Sequence, residues 1–236
     1  MTVAQIQTRI WNRLDDDGTY YPSSEVLGAI NEGQRLFVLL TLCLEKTATL
    51  SDIQLVSYRL LQQSGFEDFL CPLRIRVSGG ARLQASRLGE LDALDDDWQA
   101  TAGTPDRYAV LGLDLLCLNK QPASSGTDLS ITYAHAPAII TAVGSSPEIP
   151  AEYHTDLVDY AIHALRVKEG GKDFLDTLPL LNRFLENASK LNAHVRARGL
   201  AHRYDRLPAE LEKVDLSRLF PKGNGARVKP LLELAS

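Results

Sequence analysis

Few side chains in this sequence are placed to do chemistry, and their spacing limits what they can do. The five histidines, His135, His154, His163, His194 and His202, never pair with a cysteine at CxxC-type spacing. His154 and His163 share a predicted helix. Nine residues at about 100° each put them on opposite sides of it, so packed or surface histidines are expected there. Asp92, Asp95, Asp96 and Asp97 cluster ahead of Trp98. A pair drawn from them would serve glycoside hydrolysis only with one carboxyl in an apolar pocket that raises its pKa. Aspartates at a helix-to-loop junction are instead expected to be solvated or to cap the helix. No GxSxG occurs, and Cys43, Cys71 and Cys117 lack a local motif tying them to a histidine. Gly79-Gly80 and Gly170-Gly171 lack both the P-loop lysine-serine pattern and the GxGxxG spacing, so they read as loop and helix-end glycines. No catalytic, cofactor-binding or metal residue is therefore assigned, and the chain is read as a non-enzyme.

The elements that would position these groups follow from periodicity. Val3, Ile6, Ile10 and Leu14 mark a helix over 3–14, broken by Asp15 to Gly18. Ser23 or Ser24 is the expected N-cap of a second helix over 24–44, whose apolar second half predicts deep burial. Residues 47–52 and the run QLVSYRL read as two strands of a hairpin, with a helix possible for the second. A connection with one short helical turn is expected over 64–72. Leu73, Ile75 and Val77 alternate with Arg74, Arg76 and Ser78 as a half-buried strand ended by Gly79-Gly80. A short strand begins at Leu83, a short helix covers 86–95, and 108–118 reads as a hairpin about Gly112-Leu113-Asp114. After a loop at 122–126, Leu129, Ile131 and Tyr133 form the last strand. Helices follow over 151–169, with Val167 on its buried face, and over 173–198, stopped by Gly199.

Together these give an α+β fold. Two N-terminal and two long C-terminal helices form a bundle, and a small antiparallel β-domain is inserted at about 46–135. Residues 1–198 form one body, and 199–236 an extended arm. Hydrophobic residues are 44 % and charged residues 23 %, ordinary for a globular chain of 236 residues, with room for a core without disulfides. The net charge of −5 disfavours wholesale phosphate binding. No apolar run approaches the roughly 20 residues of a bilayer span, and the N-terminus lacks a secretory pattern. Three scattered cysteines suit free thiols in a reducing compartment.

One constellation is more particular. Trp98 is followed by Gly103-Thr104-Pro105 and Tyr108, then a strand pair, then Tyr133 and Pro137, then Ile149-Pro150 and His154 opening the C-terminal helices. The proline holds Thr104 extended, and Trp98 and Tyr108 flank the turn and are expected to pin it to the sheet. This succession resembles the head–tail adaptor proteins of tailed bacteriophages over roughly 85–200, with the N-terminal helices agreeing in order. Where such proteins often carry a proline-rich turn, Leu118 to Pro122 keeps only Pro122.

The resemblance implies a non-enzymatic virion protein at the head–tail junction, assembled in the host cytoplasm. It implies a ring matching the portal, dodecameric, with DNA passing through its lumen without sequence-specific binding, and no membrane contact. Its partners would be the portal protein, a downstream tail or nozzle protein, and copies of itself. Such proteins often dock on the portal through a C-terminal arm. Here the arm is basic and broken by Pro208, Pro221 and Pro230, a composition suited to folding on binding. Arg203 and Arg206 supply a basic edge, Leu216, Leu219 and Phe220 an apolar anchor, and Arg227 and Lys229 precede Leu231 and Leu232. The competing readings are a glycan hydrolase using a carboxylate pair near Asp95–Asp97 and a host protein with a ligand-binding β-domain.

Overall fold

A computed structural model describes residues 1–122 and 126–195. The whole arm, with Arg203, Arg206, Leu216, Leu219, Phe220, Arg227, Lys229, Leu231 and Leu232, lies outside the described residues. So do Gly199 and part of the 122–126 loop.

The first helix, α1 (Val3–Leu14), starts at a reciprocal cap. The Gln5 amide donates to Thr2 Oγ1, and the Thr2 amide donates to Gln5 Oε1. Two of its remaining free amides, Val3 and Ala4, donate to the carbonyls of Ser145 and Val143. Helix α2 (Ser23–Thr41) begins after Pro22 with no side-chain cap. The expected serine cap is absent because the helix begins at Ser23, which leaves Pro22 at the cap position; Ser23 Oγ accepts from Gln7 Nε2 at 3.0 Å. Helix α4 (His154–Arg166) crosses α2 where Gly33 lies. A Cβ at Gly33 would sit 2.8 Å from the Tyr160 ring, so glycine sets the close approach of the two helices. Val167 lies beyond α4 and is 60 % exposed, against expectation.

The helix expected over 173–198 is two helices, α5 (Gly171–Asp176) and α6 (Leu178–Val195). Pro179 has no amide to donate to the Leu175 carbonyl and its ring crowds that carbonyl, so an unbroken helix is strongly disfavoured there. Thr177 fills the joint, its hydroxyl donating to the Phe174 carbonyl at 2.7 Å. Helices α1, α2, α4 and α6 enclose one core, in which Phe37, Tyr160 and Phe184 meet ring to ring. Among the described residues, no helix is long and apolar enough to cross a membrane.

Between α2 and α4 the chain forms two sheets. The first has the order β1 (Glu45–Leu50), β7 (Leu129–His135), β3 (Phe69–Val77). The second has the order β2 (Ser57–Arg59), β6 (Leu115–Leu118), β5 (Arg107–Leu111), β4 (Gln84–Ala85). The hairpin expected over 47–60 does not form, because β1 pairs with β7 and β2 pairs with β6 in the other sheet. Nor is the β-domain wholly antiparallel, since β4 runs parallel to β5. Cys71-Pro72, expected in a connection, lies within β3, where the proline sits next to a register shift that spares it a ladder bond. The 108–118 hairpin and the strand from Leu129 stand as expected, and β7 is central in its sheet.

Side-chain alternation assembles the sheets into layers. Leu129, Ile131, Tyr133 and Ile75 from the first sheet pack against Tyr108, Leu116 and Leu118 from the second. The intervening residues of the second sheet, Ala109 and Cys117, face the other way. They pack with Trp98 and with Leu91 of a short helix, α3 (Leu88–Leu94). The 86–95 helix is thus present, and it forms the outer layer of the β-module.

Candidate interaction surfaces

The fingerprint residues act as a scaffold, each through a different contact. Trp98 is 4 % exposed, and its Nε1 donates to Asp92 Oδ1 at 2.8 Å, which ties the loop back onto α3. Thr101 Oγ1 donates to Asp95 Oδ2 at 2.7 Å, and the Asp97 amide donates to Asp95 Oδ1 at 3.0 Å. Asp95 therefore shapes the loop as a side-chain acceptor rather than capping α3, since both of its donors lie beyond the helix. The turn at Gly103-Thr104-Pro105 is held by backbone bonds. The Gly103 amide donates to the Gln121 carbonyl, and the Gln121 amide to the Thr101 carbonyl. Asn119 Oδ1 then takes the amides of both Asp106 and Arg107.

Trp98 and Tyr108 do not pin the turn together. Tyr108 points between the two sheets, whereas Trp98 packs beyond the second. Tyr108 and Ala109 are neighbours in β5, so their side chains take opposite faces. Beside Trp98 a groove of about 390 Å³ opens, with Leu91 and Leu94 on one wall and Asp106, Arg107 and Lys120 around it.

The other fingerprint residues have equally local reasons. Tyr133 is fully buried, with its hydroxyl 2.7 Å from the Gly65 carbonyl and 2.8 Å from Asp68 Oδ1. Burial raises its phenol pKa, and the Asp68 carboxylate adds to the shift. His154 closes the turn that opens α4. Its Nε2 lies 3.0 Å from the Ile149 carbonyl, and its Nδ1 lies 2.9 Å from the Met1 amine. His163 is buried with Nδ1 2.9 Å from Thr177 Oγ1, and desolvation lowers its pKa from 6.5. His154 and His163 are thus both packed, as their spacing suggested. Among the described residues, no group of three or more His, Cys, Asp or Glu stands together to hold a metal ion.

A carboxyl raised by burial does exist, but elsewhere. Asp156 of α4 is held above 3.8 mainly by desolvation, opposed by the bond it accepts from Asn187 Nδ2 at 2.7 Å. It faces α6 inside the bundle and belongs to the packing.

Sequence reasoning passed over the first sheet's outer surface, which carries Thr47, Thr49, Arg74, Arg76, Ser130 and Thr132 in register. The available signal was that both polar positions inside one alternating strand, 74 and 76, are arginine.

The family model described as SU10 adaptor protein matches residues 1–203. The chain belongs to the SU10 adaptor protein family. This is a family of phage head–tail adaptors, structural proteins of the virion rather than enzymes. Its role implies contact with portal and tail proteins. The resemblance drawn from Trp98, Gly103-Thr104-Pro105, Tyr108, Tyr133 and His154 pointed to this family. No curated protein matches the adaptor.

Proposed function

We propose that this adaptor forms a ring below the portal at the head–tail junction, dodecameric to match it. The ring joins the portal to a downstream tail or nozzle protein and forms part of the DNA conduit. Assembly takes place in the host cytoplasm. The observation carrying this reading is the family match across residues 1–203, which takes in the whole bundle and β-module. The arm at 199–236 is the portal-docking element of this proposal. A basic edge speeds encounter with an acidic ring, and apolar anchors set the off-rate. The test is co-sedimentation with purified portal rings. Truncation after Leu200 is expected to leave melting nearly unchanged and to abolish attachment. A truncated chain that binds as well as the full one would move docking to the body.

A further inference from the structure

The outer face of the first sheet is a lattice of hydroxyls and guanidinium groups, with Glu45 on the same side at the end of β1. Register places Thr47, Thr132 and Arg74 in one row across β1, β7 and β3, and Thr49, Ser130 and Arg76 in the next. Thr47 Oγ1 and Thr132 Oγ1 are 3.0 Å apart. Arg82 stands opposite Arg76 across a bridge. Among the described residues, no carboxylate pairs with Arg74 or Arg76, and Arg74 Nε is buried with no hydrogen-bond partner. A buried donor without an acceptor is costly, so this face is built for an acceptor from outside the chain.

The opposite side of the same module carries the opposite charge. There α3 and its loop expose Asp92, Asp96 and Asp97, with Arg87 at the helix start and Arg107 and Lys120 across the neighbouring groove as the nearby cations. No ion pair within the described residues neutralises these three aspartates. Two sheets and two apolar layers separate the arginine face from the aspartate face. One chain cannot bring them together, but two copies can.

We propose that the arginine–hydroxyl face of β1-β7-β3 docks against the α3 aspartate loop of a second copy, front to back. The inference rests on the ring reading above and names its interface. Two arginine faces repel each other, as do two aspartate faces, so charge selects the front-to-back arrangement. A contact between two different patches leaves both outer faces open, and repetition closes into a ring when the rotation allows. Charge pairing at exposed positions weakens as salt is added.

Sedimentation velocity on the full chain tests this. At low salt, species larger than the monomer are expected to grow with concentration and to dissociate as salt is added. Arg76→Glu and Asp96→Lys are each expected to raise the concentration needed for association about tenfold. An equimolar mixture of the two variants is expected to recover association, because each supplies the charge the other has lost. That recovery also shows that both variants are folded. A native chain that stays monomeric at low salt overturns the proposal, as does native-like association of both variants or a mixture that does not recover. Duplex DNA binding abolished by Arg74→Glu/Arg76→Glu, with self-association untouched, overturns it and assigns the face to DNA. Recovery in the mixture by a chain that fails to attach to portal rings supports this interface and removes the portal-docking reading instead.

Discussion

Asp159 on α4 has no exposed surface, yet it serves two helices at once. Arg13 of α1 reaches Oδ1 at 2.7 Å, and Arg183 of α6 reaches Oδ2 through Nε at 2.5 Å. Both arginines are about half exposed, so losing the aspartate would return them to water. Losing the arginines would leave a buried charge with no partner, and that asymmetry predicts the mutant ranking. Arg13→Met/Arg183→Met is expected to cost roughly 3–5 kcal/mol in denaturant unfolding. Asp159→Leu is expected to cost distinctly less. His163 sets a pH limit. Burial holds its folded pKa below the unfolded 6.5, so the unfolded chain takes up the proton first. Its contribution is complete above pH 6.5 and declines as the pH falls through the folded value. Thermal melts from pH 8 to pH 5 are expected to show this loss, and His163→Gln to flatten it.

At the scale of elements, the loop after α3 depends on one indole. Trp98→Ala removes the filler between α3 and β5–β6 together with the bond to Asp92. The β-module is expected to lose roughly 3–5 kcal/mol, read by chemical denaturation. A neutral effect on unfolding combined with lost partner binding would make the loop an interface. Elements with a clean local period were legible from sequence: α1, α3, the β5–β6 hairpin and β7 all lie where apolar spacing put them. Two kinds of information were not local. Strand partners were one, since Glu45 pairs with Ala134, far away in sequence, and adjacency suggested a hairpin instead. The other was the break at Thr177, which depends on what Pro179 cannot donate rather than on the apolar pattern around it. The candidate surface was half legible. Alternation placed Arg74 and Arg76 on a polar face, but only the layer order reveals that α3 and its aspartates lie on the far side of the module.

For the whole molecule, the two cores are distinct. The bundle closes on Phe37, Tyr160 and Phe184, and the β-module on Tyr133, Ile131 and Leu116. Thermal unfolding followed by calorimetry is therefore expected to depart from a single two-state transition, and Trp98→Ala to shift only the component belonging to the β-module. The chain passes from bundle to module at Glu45 and returns at His135, and these two crossings lie side by side at one end of the paired strands β1 and β7. The returning segment is then laced to the bundle, with Asn31 and Gln34 of α2 donating to the carbonyls of Ile140 and Ala138. Among the described residues, the module meets the bundle at this end, where Leu70 of β3 also packs against the bundle core. Torque about that junction would bear first on the Leu70 contact with the bundle core. Tension along the strands would load β1 and β7 together rather than peel them apart. Any ring built from such subunits would draw part of its mechanical compliance from this junction.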